Sequence, residues 1–416
     1  MRQLLRTVIL ALLRVFGLPG ALKAAHKART ASNIPGAPRI LLIRPDHLGD
    51  LILTTPVLHA LKTHLPEATI TMMVGPWSSE VVARHPAIDR LLPCPFPGFQ
   101  RSPQKPLAPY ILLFSAAQQL RRGHYDLAIN LRPDFWWGAV LLYLAQIPHR
   151  IGYAIALGTP FLTRALPFSS PEHATVSNLR LVSAALEVLG QQPLAEPLMP
   201  EHYPLQFIPT AEERQWVITR LAKADIDTDT PIVIIHPGTG AAVKLWRVAA
   251  WSTIANALPG LLTTSPPPRI ILTGSTGERS MLAEIAQGMQ EMASPPLLLT
   301  DMTVGQLAAL LQRACLVLGV DSGPLHLAVA QDTPTLHIFG PTDPRIFGPW
   351  GKAERHVVVA STHRCPDCPC IPCGRLDFRP EELPTHPCVR LIPEQQVEAA
   401  IATIIQSQSV ESTNTM

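Results

Sequence analysis

The stretch from Leu316 to Gly351, LVLGVDSGPLHLAVAQDTPTLHIFGPTDPRIFGPWG, constrains the fold more than any other. It opens on a short apolar run, Leu316 to Val320, which reads as a buried parallel strand. Asp321, Ser322 and Gly323 break that run. Ser322 is a favoured N-cap residue, and Pro324 is tolerated in the first turn of a helix, where its missing N–H would be unpaired anyway. The helix continues through Leu325, His326, Leu327 and Ala328, and a second apolar strand follows from Thr335 to Phe339. The unit is βαβ. Its helix N-terminus points unpaired N–H groups and a positive dipole end beyond the strand ends, an arrangement that suits a phosphate. His326, in the first turn, could add a proton or a positive charge; the plainer alternative is a capped helix with a partly exposed histidine.

The same alternation fills the chain. At 416 residues it is long enough for two ordinary domains, and 47% hydrophobic residues allow each a core. A net charge of only +3 gives no electrostatic footprint for nucleic acid. The 44 prolines argue for rigid loops rather than disorder, because apolar content stays high.

Residues 1–38 form a separate basic extension with no acid before Asp46. Leu4, Leu5, Val8, Ile9, Leu12, Leu13 and Phe16 recur near helical spacing. The apolar run is interrupted by Arg14 and ends near Pro19, too short for a comfortable span. It reads as an amphipathic helix on an anionic cytoplasmic leaflet, or as a helix packed on the protein's own surface.

The first domain, residues 39–190, starts with a strand at Ile40 to Ile43 and the loop Arg44-Pro-Asp-His-Leu-Gly-Asp50. A helix is expected over Leu51 to Leu65. No G-x-G-x-x-G is present, so there is no dinucleotide fingerprint. Asp46 and Asp50 in that loop either cap the helix or face a cleft as a base. Further helices are expected at Ser78 to Arg84 and Leu112 to Arg122, with a flap-length loop between Pro93 and Pro109. Arg132, Trp136 and Trp137 follow a strand end, placed either for a sugar and its phosphate or for core packing. Ala154 to Ala174 reads as an irregular insert, and residues 191–209 as a proline-rich linker.

The second domain, residues 210–392, repeats the pattern. The loop after strand Ile232 to Ile235 is His236-Pro-Gly-Thr-Gly-Ala-Ala-Val-Lys-Leu-Trp246, whose small residues let backbone amides approach phosphate. Lys244 offers a point positive charge to a diphosphate. Glu278 either charges a helix N-terminus or accepts ribose hydroxyls. Residues 393–416 form a final helix and a frayed tail.

Four pieces in this order resemble a known family: Leu48-Gly-Asp-Leu-Ile-Leu-Thr-Thr-Pro56, the His236-Pro-Gly loop with Lys244-Leu-Trp246, Asp321-Ser-Gly-Pro-Leu-His326, and Phe339-Gly-Pro-Thr-Asp-Pro344 with Gly348-Pro-Trp-Gly351. The chain resembles glycosyltransferase family 9, the ADP-heptose:lipopolysaccharide heptosyltransferases, from Arg39 to the C-terminal helix. The resemblance implies an α/β GT-B fold, two Rossmann-like doubly wound domains facing across a cleft. It implies an inverting transfer of a sugar, heptose by the family pattern, from an ADP-linked nucleotide-sugar donor to a lipid-linked or cell-surface glycan acceptor of lipopolysaccharide type. Asp50 takes the role of catalytic base by its match to the family's Gly-Asp aspartate. Lys244, the amides of Ser322 and Gly323, and His326 are expected to hold the diphosphate; the family pattern adds Thr239, Glu278 and Asp321 as donor contacts. No catalytic metal or other cofactor is then needed, and the enzyme would work in the cytoplasm as a peripheral protein of the inner membrane face. Two other classes remain open: another GT-B nucleotide-sugar enzyme such as an epimerase, and a non-catalytic sugar-binding protein.

Seven cysteines are present, five of them between residues 365 and 388. The series Cys365-x2-Cys368-x-Cys370-x2-Cys373, with Cys388 beyond, has enough thiols for a structural zinc or an iron–sulfur cluster. It does not match a zinc-ribbon pair, and free thiols or disulfides are the alternatives.

Overall fold

The computed structural model describes residues 2–30, 37–100, 105, 107–155, 157–289 and 294–414. The chain divides into two compact units, Met1–Tyr203 and Pro204–Met416.

The first unit runs α1 (Arg2–Thr30), β1 (Arg39–Arg44), α2 (Leu48–Ile52), α3 (Thr55–His64), β2 (Thr69–Val74), β3 (Arg90–Pro93), α4 (Ala108–Arg121), β4 (Leu127–Asn130), α5 (Trp136–Leu144), β5 (His149–Tyr153), β6 (Arg164–Leu166) and α6 (Ala174–Val188). Its strands form one parallel sheet in the order β3-β2-β1-β4-β5-β6. Ile40, Leu41, Leu42 and Ile43 of β1 are fully buried, as a central strand covered on both faces requires. Each such side chain contributes about 1.5–3 kcal/mol.

The second unit runs α7 (Ala211–Ala222), β7 (Ile232–His236), α8 (Val248–Leu261), β8 (Arg269–Thr273), α9 (Arg279–Gln287), β9 (Leu297–Leu299), α10 (Val304–Arg313), β10 (Leu316–Val320), α11 (Gly323–Ala330), β11 (Thr335–Phe339), α12 (Pro344–Phe347), β12 (His356–Ala360) and α13 (Glu394–Asn414). Its parallel sheet has the order β12-β11-β10-β7-β8-β9. Counted from the first strand of each unit, both sheets follow the doubly wound order 3-2-1-4-5-6. The order reverses between β1 and β4 in one unit and between β7 and β10 in the other. Ligands of such sheets gather beyond the carboxyl ends of these strands.

Several local expectations are corrected. The helix expected over Leu51 to Leu65 is two helices, α2 and α3, because Pro56 cannot donate within a helix and takes a first-turn position of α3 instead. Only a 3-10 turn, Ser79–Val81, forms where Ser78 to Arg84 was expected to be helical. The insert at Ala154 to Ala174 carries β6, a three-residue edge strand with no apolar run to announce it. Part of the expected flap between Pro93 and Pro109, residues 101–104 and 106, lies outside the described residues. The final helix continues to Asn414 instead of fraying ten residues from the end.

The basic extension is a helix that does not stop at Pro19. Its segment Arg6–His26 is long and apolar enough, by length and composition, to cross a membrane. One face is nevertheless seated on the first unit. Leu10, Leu13 and Ala21 join the core that contains Leu113 of α4 and Tyr143 of α5. Tyr143 Oη donates to the Arg14 carbonyl at 2.7 Å. Glycine is needed at the closest approach, since a Cβ at Gly17 would meet the Tyr143 ring at 2.4 Å.

Candidate functional site

In the first unit, the loop after β1 carries two aspartates with different surroundings. Asp46 is buried, 1% exposed, and Arg44 Nε lies 2.6 Å from its Oδ2. Arg132, from the loop after β4, pairs with Asp46 Oδ1 and, at 2.7 Å, with Asp134. Burial alone would lower the pKa of Arg132, but Asp46 and Asp134 outweigh it and hold the guanidinium above its usual range. The Asp46 carbonyl accepts from Ser78 Oγ at 2.8 Å and Trp77 Nε1 at 3.1 Å. Asp46 is therefore a clamp between the ends of β1, β2 and β4.

Asp50 sits one helical turn on, in α2. Its side chain is 32% exposed, and Arg44 Nη2 approaches its Oδ1 at 3.4 Å. Arg44 is buried and also donates to the Leu131 carbonyl at 3.0 Å and to Asn178 of α6 at 3.2 Å. The expected base is thus the accessible carboxylate of the pair, held beside a fixed cation. Arg132, placed by sequence among sugar or phosphate ligands, is engaged with two carboxylates. Trp137 is core, 1% exposed, and Trp136 lies under the guanidinium of Arg6.

In the second unit, the loops after β7 and β10 meet. Lys244, in a 3-10 turn of the β7 loop, places Nζ 2.8 Å from Asp321 Oδ2 and 3.2 Å from the Asp321 carbonyl. Thr342, from the loop after β11, donates to the same Oδ2 at 2.5 Å. Thr239 Oγ1 lies 3.5 Å from the Asp321 carbonyl. Three loop residues, from the ends of β7 and β11 on either side of β10, are so drawn onto Asp321. Ser322 precedes α11 in extended conformation, but its side chain makes no capping bond, and its Oγ is buried with no hydrogen-bond partner. Gly323 opens the helix.

His326 is neither the partly exposed histidine of the plainer alternative nor open to solvent. It is 3% exposed and lies beside His337, ring centroids 5.9 Å apart. Burial, reinforced by His326 and His356, pushes His337 well below the usual histidine range. His236, at the end of β7, meets Thr273 Oγ1 at 3.0 Å, and burial lowers it to about 4 against the pull of Glu278. Glu278 closes a capping box on Ser275, accepting from its N–H at 2.6 Å and its hydroxyl at 2.8 Å. A Cβ on Gly238 would meet Glu278 Oε1 at 2.1 Å, so the carboxylate leans on the β7 loop.

Sequence reading missed Arg44, Asn178 and Thr342 as partners in these clusters. Thr342 had a signal, since it stands in the same kind of strand-end loop as Asp321.

The cysteine segment differs from its expected pattern. Cys370 is exposed and donates its thiol to the Pro372 carbonyl at 3.1 Å. Cys388 joins the series: the Cys368 thiol lies beside those of Cys365 and Cys373, and the Cys388 thiol beside that of Cys365. Burial first, then the neighbouring thiols, raises Cys388 to about 12 and Cys368 to about 11. Among the described residues, no group of three or more His, Cys, Asp or Glu is arranged to hold a metal ion. The four thiols are spaced for contact with one another.

The sequence model for Glycosyltransferase family 9 (heptosyltransferase) matches residues 113–371. Lipopolysaccharide heptosyltransferase 1 of Pseudomonas aeruginosa is 27% identical over 341 residues, which cover 80% of this chain and 86% of that protein. The crystal structure of a family 9 glycosyl transferase from Veillonella parvula superposes with a TM-score of 0.70 at 22% identity, covering 89% of this chain and 97% of the other. The E. coli ADP-heptose lps heptosyltransferase II gives 0.63 at 19% identity, with 89% and 99% covered. The last two likenesses give the fold, which is GT-B.

Proposed function

Because the chain belongs to glycosyltransferase family 9, we propose that this enzyme moves a heptose from ADP-heptose to a lipopolysaccharide-type acceptor, with inversion and without a catalytic metal. The observation that carries this reading is the cluster on Asp321, which brings Lys244, Thr239 and Thr342 to the strand ends beside the N-terminus of α11. A fixed cation next to unpaired amides matches the charge of a departing nucleoside diphosphate. The names of the relatives supply the sugar and the acceptor.

In this mechanism Asp50 takes the proton of the acceptor hydroxyl. The acceptor oxygen forms its bond to the anomeric carbon on one face as the bond to the diphosphate breaks on the other. The electron pair leaves on the ADP, where Lys244 and the Ser322 and Gly323 amides meet it. His326 is buried, so we assign it to the wall behind the first turn of α11. Thr239 and Glu278 complete the donor contacts. Lys244 is shared with Asp321, so donor binding repartitions that ion pair. The acceptor is lipid-linked, and we place the reaction at the cytoplasmic face of the membrane, with α1 on its anionic surface. The cysteine segment takes no part in transfer. Elemental analysis of purified protein reads directly whether its thiols carry a metal.

Calorimetry with ADP, UDP and GDP tests the donor reading. ADP should bind most tightly, and Lys244→Ala should weaken it by roughly tenfold or more, with a loss that shrinks at high salt because the contact is ionic. Preference for UDP or GDP would refute the ADP-heptose assignment. Initial rates with EDTA should equal those without; activity lost to EDTA and restored by magnesium would overturn the metal-independent mechanism.

A further inference from the structure

Among the described residues, nine of the fifteen exposed large apolar side chains lie on α1 or at α4. Leu12, Val15 and Phe16 on α1 point outward, Phe16 being 69% exposed. Ile111 and Phe114 on α4 do the same, Ile111 being 69% exposed. The two sets are joined by an edge-to-face contact of Phe16 with Phe114, centroids 6.2 Å apart. The 77 residues 31–107 separate the two helices in sequence, yet they present one continuous apolar face. Faces of this kind mark an interaction surface rather than ordinary scatter.

Charge selects the occupant. Neither helix contains an acidic residue. Arg6, Arg14 and Lys23 are exposed along α1, and Arg121 and Arg122 close the end of α4. An apolar face rimmed by cations alone matches a bilayer rich in anionic phospholipid: the rings enter the headgroup boundary, and the cations meet phosphates.

We propose that α1 and α4 together form a docking surface that lies in the plane of an anionic membrane and holds the first unit against it. The surface presupposes the reading of α1 as a membrane-surface helix and extends it to α4. Spanning is the competing state, since α1 is long and apolar enough for it. The seat argues against spanning. Leu10, Leu13, Ala21 and Ala24 are buried, and Gly17 and Gly20 let α1 approach Tyr143 and Gln146 closely. A spanning α1 would abandon that seat, expose its apolar partners on α5 to water and carry Arg14 into hydrocarbon. Lying in the plane, α1 keeps both faces covered.

Co-sedimentation of the full chain with vesicles of phosphatidylcholine, with and without phosphatidylglycerol, tests this. The wild type should bind the anionic vesicles and release at high salt or alkaline carbonate. Ile111→Asp/Phe114→Asp, which leaves α1 intact, should lower binding at least tenfold. Both positions are exposed, so the variant should fold, and an unchanged circular dichroism spectrum and melting profile of the full chain check that it does. Leu107→Asp/Ile111→Asp gives a second reading of the same face, Leu107 being 68% exposed. Wild-type binding by both α4 variants, with loss only on deletion of residues 1–30, would leave α1 as the sole contact and overturn the two-helix surface. Resistance to carbonate would show that α1 spans. Self-association without vesicle binding, abolished by the same substitutions, would make the face a contact between copies and refute the membrane assignment.

Discussion

Asp46 and Asp50 leave the same strand end with different company. Asp46 is buried between Arg44 and Arg132, and Asp50 keeps 32% of its side chain in solvent and meets Arg44 at a longer distance. Removing one partner from a buried pair leaves an uncompensated charge, at a cost of about 3–5 kcal/mol. Asp46→Asn should therefore lower stability by that order in denaturant unfolding. Asp50→Asn should leave stability nearly unchanged and cut turnover roughly 100-fold or more. The opposite pattern, a stable and inactive Asp46→Asn with a fully active Asp50→Asn, would exchange the two roles. The sequence put both carboxylates in one loop but could not rank them. What ranks them is Arg132, 86 residues from Asp46 along the chain. Lys244 and Asp321 are likewise 77 residues apart. The short loops that hold these residues announce themselves by composition; the pairing depends on how the sheet orders its strands.

Strands β7, β11 and β12 each carry a buried histidine: His236, His337 and His356. Thr335 Oγ1 links the last two, at 2.8 Å from His337 and 2.9 Å from His356. Burial, then Arg355, lowers His356 to about 4, as burial does His236. These groups stay neutral in the fold while the unfolded chain protonates its histidines near pH 6.5. Their contribution is complete above about pH 6.5. It is lost as pH falls toward 4, by on the order of 3 kcal/mol for each of the two. Urea unfolding at pH 7 and pH 5 should show the drop, and His356→Asn should flatten it. An unchanged slope in that variant would mean that His356 does not carry the effect. At this scale the sequence was most legible where strands are covered on both faces, because β1, β7 and β10 read as unbroken apolar runs. It was least legible at β6, whose Arg-Ala-Leu carries neither alternation nor an apolar run. The break between α2 and α3 is signalled by Pro56, which lies in the early part of the single helix expected over Leu51 to Leu65.

Each unit has its own sheet and its own apolar core. The proposed donor residues Thr239, Lys244, Glu278, Asp321, Ser322, Gly323 and His326 all belong to the second unit. ADP should therefore slow amide exchange chiefly in that unit, around residues 237–247 and 321–326, because a ligand stabilises what it holds. Equal protection of the β1 loop by ADP alone would place nucleotide contacts in the first unit and redraw the division of labour. Both sheets share one strand order, so both also end in the same way. Their outer strands are β3, β6, β9 and β12, of three to five residues. Such short rows of unpaired backbone groups give a neighbouring molecule little to pair with. A protein gathered onto a two-dimensional surface meets its own copies far more often than one dispersed in solution. Blunt sheet ends would let this chain crowd there without its sheets joining into aggregates.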